Sequence, residues 1–433
     1  MGLLALAFWA GATKAAAIRL GLAIEAVAFA LATWLASRCC VRREASIAAL
    51  LVAGLMSFNP FFIWPTVNGF ETGLAAATAF VALELWDRSA PAITIGAACG
   101  VAFLARTDAV ALVASLLVVR SLEKRWRRAA IIAVGFAVTV VPFVLWSAYR
   151  FGVALPESAI QKSHFRSLSS IAQSARTLIS TIPGIVVTHR ILDRVPTGVS
   201  WILGIGTVLA CTLGARRLGS ARILFLVSLV VGYSAVADGF ELGALRRYWF
   251  LVWVLSTMSF ALAVDRANEL IVWPVALRDY RLPPPSVLVT ALILFVQWVD
   301  CARLVQWDRA AIPVASYVGS CRRLGLALDS VLSRDDRAGS FDSGSLGYFS
   351  SRPVVNLDGL VNDDISKLQK RCIAEPYGAC LLRYMHERRI TVLIGGTGYG
   401  WTGIFPNWAD WIRLYTSPPL ADGAHLVVLR VPD

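Results

Sequence analysis

Apolar stretches that approach the length of a bilayer alternate with short basic connections over the first three hundred residues. With two exceptions, every arginine cluster falls on the same side of that series. Candidate spans cover about 18–37, 45–63, 72–86, 90–106, 108–120, 129–149, 197–213, 222–238, 248–264 and 284–301, since a helix needs ~20 apolar residues to cross hydrocarbon. The two flanking Arg106 are short enough to be tilted or partly re-entrant. Four basic clusters punctuate the spans: Arg38, Arg42 and Arg43; Lys124, Arg125, Arg127 and Arg128; Arg216, Arg217 and Arg222; Arg278 and Arg281. Alternation puts all four on one face, which the positive-inside rule makes the cytoplasm. The exceptions, residues 150–194 and 246–248, then lie outside with residues 65–71, 107–108 and everything after Asp300. Cations placed against the topology rule need a reason, and an anionic ligand at the outer membrane face supplies one.

Composition agrees with this reading. Only 16% of the 433 residues are charged and 57% are apolar, whereas a water-soluble globule carries roughly a quarter charged residues. The net charge of +13 therefore reads as a topology signal, and nucleic acid is not an expected partner. The expected fold class is a polytopic α-helical membrane protein of about ten spans with a C-terminal soluble α/β domain on the outer face. The domains are residues 1–303 and 304–433. In the second, 354–357, 390–394 and 425–431 read as buried strands, 363–372 and 377–388 as helices, and 311–333 as an amphipathic helix. An amphipathic pattern over 167–180 suits a helix lying in the interface. His189, His386 and His425 are isolated and read as structural. Cys39, Cys40, Cys99 and Cys211 read as packing residues, while Cys372 and Cys380 could pair if the tail faces an oxidising compartment.

Four outer constellations carry groups able to do chemistry. Asn68-Gly69-Phe70-Glu71-Thr72-Gly73 sets a carboxylate at the start of a span, either to offset exposed helix N–H groups or to order a site. Arg106-Thr107-Asp108 puts opposite charges between apolar helices, either as a structural ion pair or as a functional one. The segment Pro156 to His164 offers Lys162, a compact charge suited to a phosphate or to anionic headgroups generally. Leu245-Arg246-Arg247-Tyr248-Trp249 offers paired guanidinium forks for phosphate oxygens. Together they describe an outward, cation-lined cavity with two carboxylates near it. Phosphate-loop, zinc-ligand and nucleophile-elbow motifs do not occur.

NGFETGL, ARTDA, the segment from Pro156 to Lys162, and RRY occur in this order in the integral-membrane GT-C glycosyltransferases of bacteria, which the chain resembles from about Ala5 to Arg430. The tail sequence FDSGSLGYFSSRPVVNLDGLVND (341–364) is similar to the outer domain of the branch containing the mycobacterial arabinofuranosyltransferases. The resemblance implies a bacterial inner-membrane enzyme that moves a sugar from a polyprenyl-phosphate donor to an envelope glycan or lipid acceptor, with inversion. Carried over residue by residue, it implies Asp108 and Glu71 as catalytic carboxylates. It implies Arg106, Lys162, Arg246, Arg247 and Tyr248 as donor-phosphate ligands. Asp342 and Asp358 are acceptor-binding candidates, although tight loops would use these aspartates and their neighbouring glycines anyway. No cofactor is implied with certainty, and a divalent metal is left open. The family's aspartate in a first outer loop has no counterpart here, because no aspartate precedes Asp87. A missing first helix and loop is the expectation, with Asp108 as substitute base. A transporter or flippase of lipid-linked saccharide and a non-catalytic envelope scaffold are the alternatives.

Overall fold

The computed structural model describes residues 11, 13–60, 62–63, 72–151, 182–185, 197–236, 249–270, 285–315, 317–341, 343–358, 362–372, 375–398, 400–420 and 423–432. Contacts divide the chain into two compact units that meet in sequence at Arg303 and Leu304.

Helices occupy every expected span: α1 (Lys14–Val41), α2 (Ser46–Phe58), α3 (Thr72–Asp87), α4 (Ala92–Ala105), α5 (Val110–Leu122), α6 (Trp126–Phe151), α7 (Thr197–Leu218), α8 (Ser220–Val236), α9 (Phe250–Leu270) and α10 (Pro285–Ala315). Five of them (α1, α6, α7, α9 and α10) contain stretches long and apolar enough to cross a membrane. Those in α2, α4 and α8 are apolar but shorter. The chain is a polytopic helical membrane protein. Its helices meet through small residues, as helices in lipid do. A Cβ on Gly96 of α4 would lie 2.1 Å from the Ile132 carbonyl of α6, and one on Gly135 would lie 2.3 Å from that of Ile93. Glycine is what lets these two backbones touch.

One end of the first unit is a layer of ion pairs. Glu84 on α3 receives Arg42, Arg88 at 2.9 Å and Arg38 at 3.7 Å. Asp87 receives Arg222 of α8 at 2.6 Å and Arg43 at 4.0 Å. Arg217 of α7 reaches Asp265 of α9 at 3.4 Å, and Arg43 donates to the Arg217 carbonyl at 2.7 Å. Arg120 at the end of α5 lies 3.9 Å over the Trp86 ring, and Arg128 of α6 donates to the Ser89 carbonyl at 3.1 Å. Hence α1, α3, α5, α7 and α9 end where α2, α4, α6 and α8 begin. Three of the four basic clusters read from the sequence share this face; Arg278 and Arg281 lie outside the described residues. The turns here are tight, and each carries a left-handed residue: Glu44 (φ 59°), Ser89 (54°), Lys124 (58°) and Gly219 (90°).

The second unit holds α11 (Tyr317–Val331), β1 (Ala338–Ser340), α12 (Ser343–Phe349), β2 (Val354–Asn356), α13 (Asp363–Arg371), α14 (Tyr377–Glu387), β3 (Val392–Gly396), β4 (Arg413–Thr416) and β5 (Leu426–Arg430). The sheet order is β2-β1-β3-β5-β4, with β1 parallel to β2 and β3 and with β5 antiparallel to β3 and β4. Alternation along β3 and β5 sends Val392, Ile394, Leu426 and Val428 toward α11 and α12. Leu393, Val427 and Leu429 go to the other face with α14, giving helix, sheet, helix layers. Three details differ from the sequence reading. Residues 311–315, expected to open the amphipathic helix 311–333, continue α10, and Tyr317–Val331 forms α11. Gly344 and Gly347, expected in a tight loop, lie within α12, which packs on α11. Short β1 and β4 went unread. Cys372 and Cys380 form a disulfide.

Candidate functional site at the end opposite the ion-pair layer

The ends of α2, α4 and α8 and the starts of α3, α5 and α9 gather at the other end of the first unit. Between α4 and α5 a single 3₁₀ turn, Thr107–Ala109, holds Arg106 against Asp108, with Nη2–Oδ2 at 2.7 Å and Nε–Oδ2 at 3.1 Å. The Tyr233 hydroxyl of α8 donates to the same carboxylate. The ring of Tyr233 lies 5.5 Å from Trp249, the residue that follows Arg246, Arg247 and Tyr248 in sequence. An ion pair in so apolar a setting requires this saturation by hydrogen bonds.

A second chain of contacts joins the start of α3. Phe250, beside Trp249, packs on Phe29 of α1 at 6.1 Å and on Phe62 at 5.7 Å between ring centroids. One turn from Phe29, the buried Glu25 carboxylate accepts the Gly73 N–H at 2.7 Å. A Cβ on Gly73 would stand 2.6 Å from that oxygen and 2.8 Å from the Glu25 carbonyl. The last glycine of NGFETG thus permits close approach of α1 to α3. Asn59, fully buried at the end of α2, donates to the Gly184 carbonyl at 2.9 Å. That bond ties down the described turn Ile182–Ile185 of the long 152–196 connection.

The structure therefore brings Arg106 and Asp108 together and adds Tyr233, whose ring packs on Trp249. Glu71, Lys162, Arg246, Arg247, Tyr248 and Asp342 lie outside the described residues, as does the segment 167–180. Asp358 follows β2 at the carboxyl edge of the parallel strands, where α/β sheets commonly bind ligands. Beside it Asn362 donates to the Asn356 carbonyl at 2.8 Å and caps α13. Two residues escaped the sequence reading. Glu25 had a usable signal, being the lone carboxylate of an apolar span. Tyr233 had none, since its role depends on a partner far along the chain.

Cys372, Glu375 and Cys380 bring possible metal ligands within 4.8 Å of one another. The disulfide consumes both thiolates, so this donor set does not suit a metal. His386 bonds the Pro432 carbonyl and His425 the Ser417 carbonyl, each at 2.8 Å. Both are structural contacts.

Residues 311–426 match a domain of unknown function, DUF8728. Among curated proteins none matches the chain in sequence. The fold is similar to that in two crystal structures of ArnT from Cupriavidus metallidurans. The apo state aligns with a TM-score of 0.57 at 14% identity, covering 95% of this chain and 83% of that one. The state bound to undecaprenyl phosphate aligns with 0.55 at 13% identity, covering 95% and 84%. The protein thus shares the fold of these two structures. The alignment extends over nearly all of it, tail included.

Proposed function

We propose that the protein is a GT-C glycosyltransferase that moves a sugar from a polyprenyl-phosphate carrier to an envelope glycan or lipid acceptor. The observation that carries this reading is the Arg106–Asp108 pair, bonded by Tyr233 and set at the end of the bundle opposite the ion-pair layer. The likeness to a protein crystallised with undecaprenyl phosphate supports it. In the proposed step the acceptor oxygen attacks the anomeric carbon from the face opposite the carrier. The carbon–oxygen bond to phosphate breaks, its electrons leave with the lipid phosphate, and the acceptor proton passes to a carboxylate. Arg246, Arg247, Tyr248 and Lys162 hold the leaving phosphate, and Arg106 joins them by exchanging Asp108 for a phosphate oxygen. That exchange leaves Asp108, with Glu71 as the other candidate, able to take the proton. General-base help contributes ~10²–10⁴-fold, and cations on the departing phosphate give a comparable gain.

The short helices set the depth of the site. The 14 residues of α4 rise about 21 Å at 1.5 Å each, less than the ~30 Å of hydrocarbon. A pair held there lies below the lipid surface, within reach of a carrier headgroup drawn inward. We place the ion-pair layer in the cytoplasm by its positive charge and the tail domain outside, where a Cys372–Cys380 disulfide persists. Asp342 and Asp358 remain the acceptor-binding candidates of the tail domain. The sugar donated is a hexosyl or a pentosyl group.

The test is transfer by purified protein in proteoliposomes from a panel of polyprenyl-phosphate sugars, read as release of polyprenyl phosphate. Turnover with one donor, abolished in a folded Arg247→Ala variant, is expected. No release with any donor sinks the enzyme reading, and undiminished turnover in the variant sinks the cavity assignment.

A further inference from the structure

The tight turn that joins α5 to α6 encloses a feature that sugar transfer does not use. Together with the start of α4 it forms an open surface cavity of about 480 Å³, lined by Ala92, Lys124, Arg125, Trp126, Arg127, Arg128 and Ile131. Gly96 and Gly135 bring α4 and α6 into backbone contact. Arg128 is fixed there by the Ser89 and Ala90 carbonyls at 3.1 and 3.2 Å. The charge of the lining is poorly balanced. Glu123 lies 3.9 Å from Arg125 but is already bound to Arg120 at 2.6 Å. Among the described residues Lys124 and Arg127 have no carboxylate within ion-pair distance. Trp126 is 65% exposed. Continuing from the cavity along α6, Ile131, Val134, Val138, Val141 and Leu145 are all exposed. Their spacing of three and four residues makes one straight apolar stripe.

Topology alone accounts for positive charge at this end and for a lipid-facing apolar stripe on α6, but not for a cavity that gathers four cations around a tryptophan where that stripe begins. We propose that the cavity binds the phosphodiester headgroup of an anionic phospholipid, with an acyl chain lying along the α6 stripe. The guanidinium groups supply forked donors to the phosphate oxygens. Trp126 occupies the interfacial level between headgroup and chain. This site lies at the end of the bundle opposite the proposed donor site and stands independently of it.

Native mass spectrometry of the full-length protein, released from detergent containing equal phosphatidylglycerol and phosphatidylcholine, tests the proposal. One phosphatidylglycerol should be retained in preference to phosphatidylcholine. The double variant Arg125→Gln/Arg127→Gln, whose changes lie on the exposed rim, should lower its occupancy about thirtyfold, the effect of two interfacial cations. Arg266→Gln, an exposed cation at the same end of α9, should leave occupancy unchanged. Equal loss in both variants would reveal general charge attraction and overturn the site, as would absence of any lipid preference. Full displacement by soluble glycerophosphoglycerol would also overturn it, because the ligand would then be a free phosphate ester. If the first double variant does not fold, Lys124→Gln/Arg127→Gln serves with the same outcomes.

Discussion

Asp108 accepts from both Arg106 and Tyr233, so its two neighbours test different things. Tyr233→Phe removes one donor and keeps the ring on Trp249. About 1–2 kcal/mol of stability should go with that hydrogen bond, the figure for bonds to charged groups running to ~3. Thermal unfolding in detergent measures the loss. Asp108→Asn keeps the shape and removes the base, and the proposed chemistry then expects transfer to fall by ~10²-fold or more with donor binding retained. A fall in donor affinity with unchanged turnover would assign Asp108 to phosphate positioning instead. In the tail, Asp336 is partly buried, which raises its pKa. The Ser333 hydroxyl, Arg430 and Thr391 more than offset this and bring it down to about 2. A depressed carboxylate stabilises the fold above its unfolded value and loses that contribution as pH falls through the folded one. Near-UV circular dichroism should therefore report weakening of the tail between about pH 4 and pH 2, and Asp336→Asn should abolish that pH dependence.

Helix α4 and helix α6 meet where Gly96 faces the Ile132 carbonyl. Gly96→Ala should force them apart and cost about 1–3 kcal/mol, the usual penalty of overpacking. Lowered thermal stability would accompany it, and an unchanged midpoint would refute the contact. At this scale the sequence was most legible where periodicity is long. The apolar runs located α1 to α10, and the amphipathic pattern found α13 and α14. Strands β1 (AGS) and β4 (RLYT) lack the paired valines that mark the short β2 (VVN), and β-branched residues are the strand signal. The glycines of α12 read as a loop because helix-breaking tendency is a local signal, while the packing of α12 on α11 is a tertiary one. The same divide governs the site. Arg106 and Asp108 are neighbours in sequence and were visible, whereas Tyr233 and Glu25 meet their partners only across helices.

For the whole molecule, labelling of single cysteines settles which way it sits. With an exposed Leu326→Cys in α11 and Ser89→Cys at the ion-pair end, a membrane-impermeant thiol reagent should reach the first in intact cells and the second only after permeabilisation. The reverse pattern would invert the proposed orientation. The two ends of the bundle differ in build as well as in charge. At one, helices are joined by turns of a few residues with left-handed links and laced by Arg42, Arg43, Arg217 and Arg222. At the other, α4 and α5 meet through one 3₁₀ turn, while the α2–α3, α6–α7 and α8–α9 connections are longer. A carrier that shuttles cargo must unlatch first one mouth and then its opposite. If the proposed transfer holds, the end laced by these ion pairs is expected to stay closed, and donor, acceptor and both products are expected to pass through the opposite end.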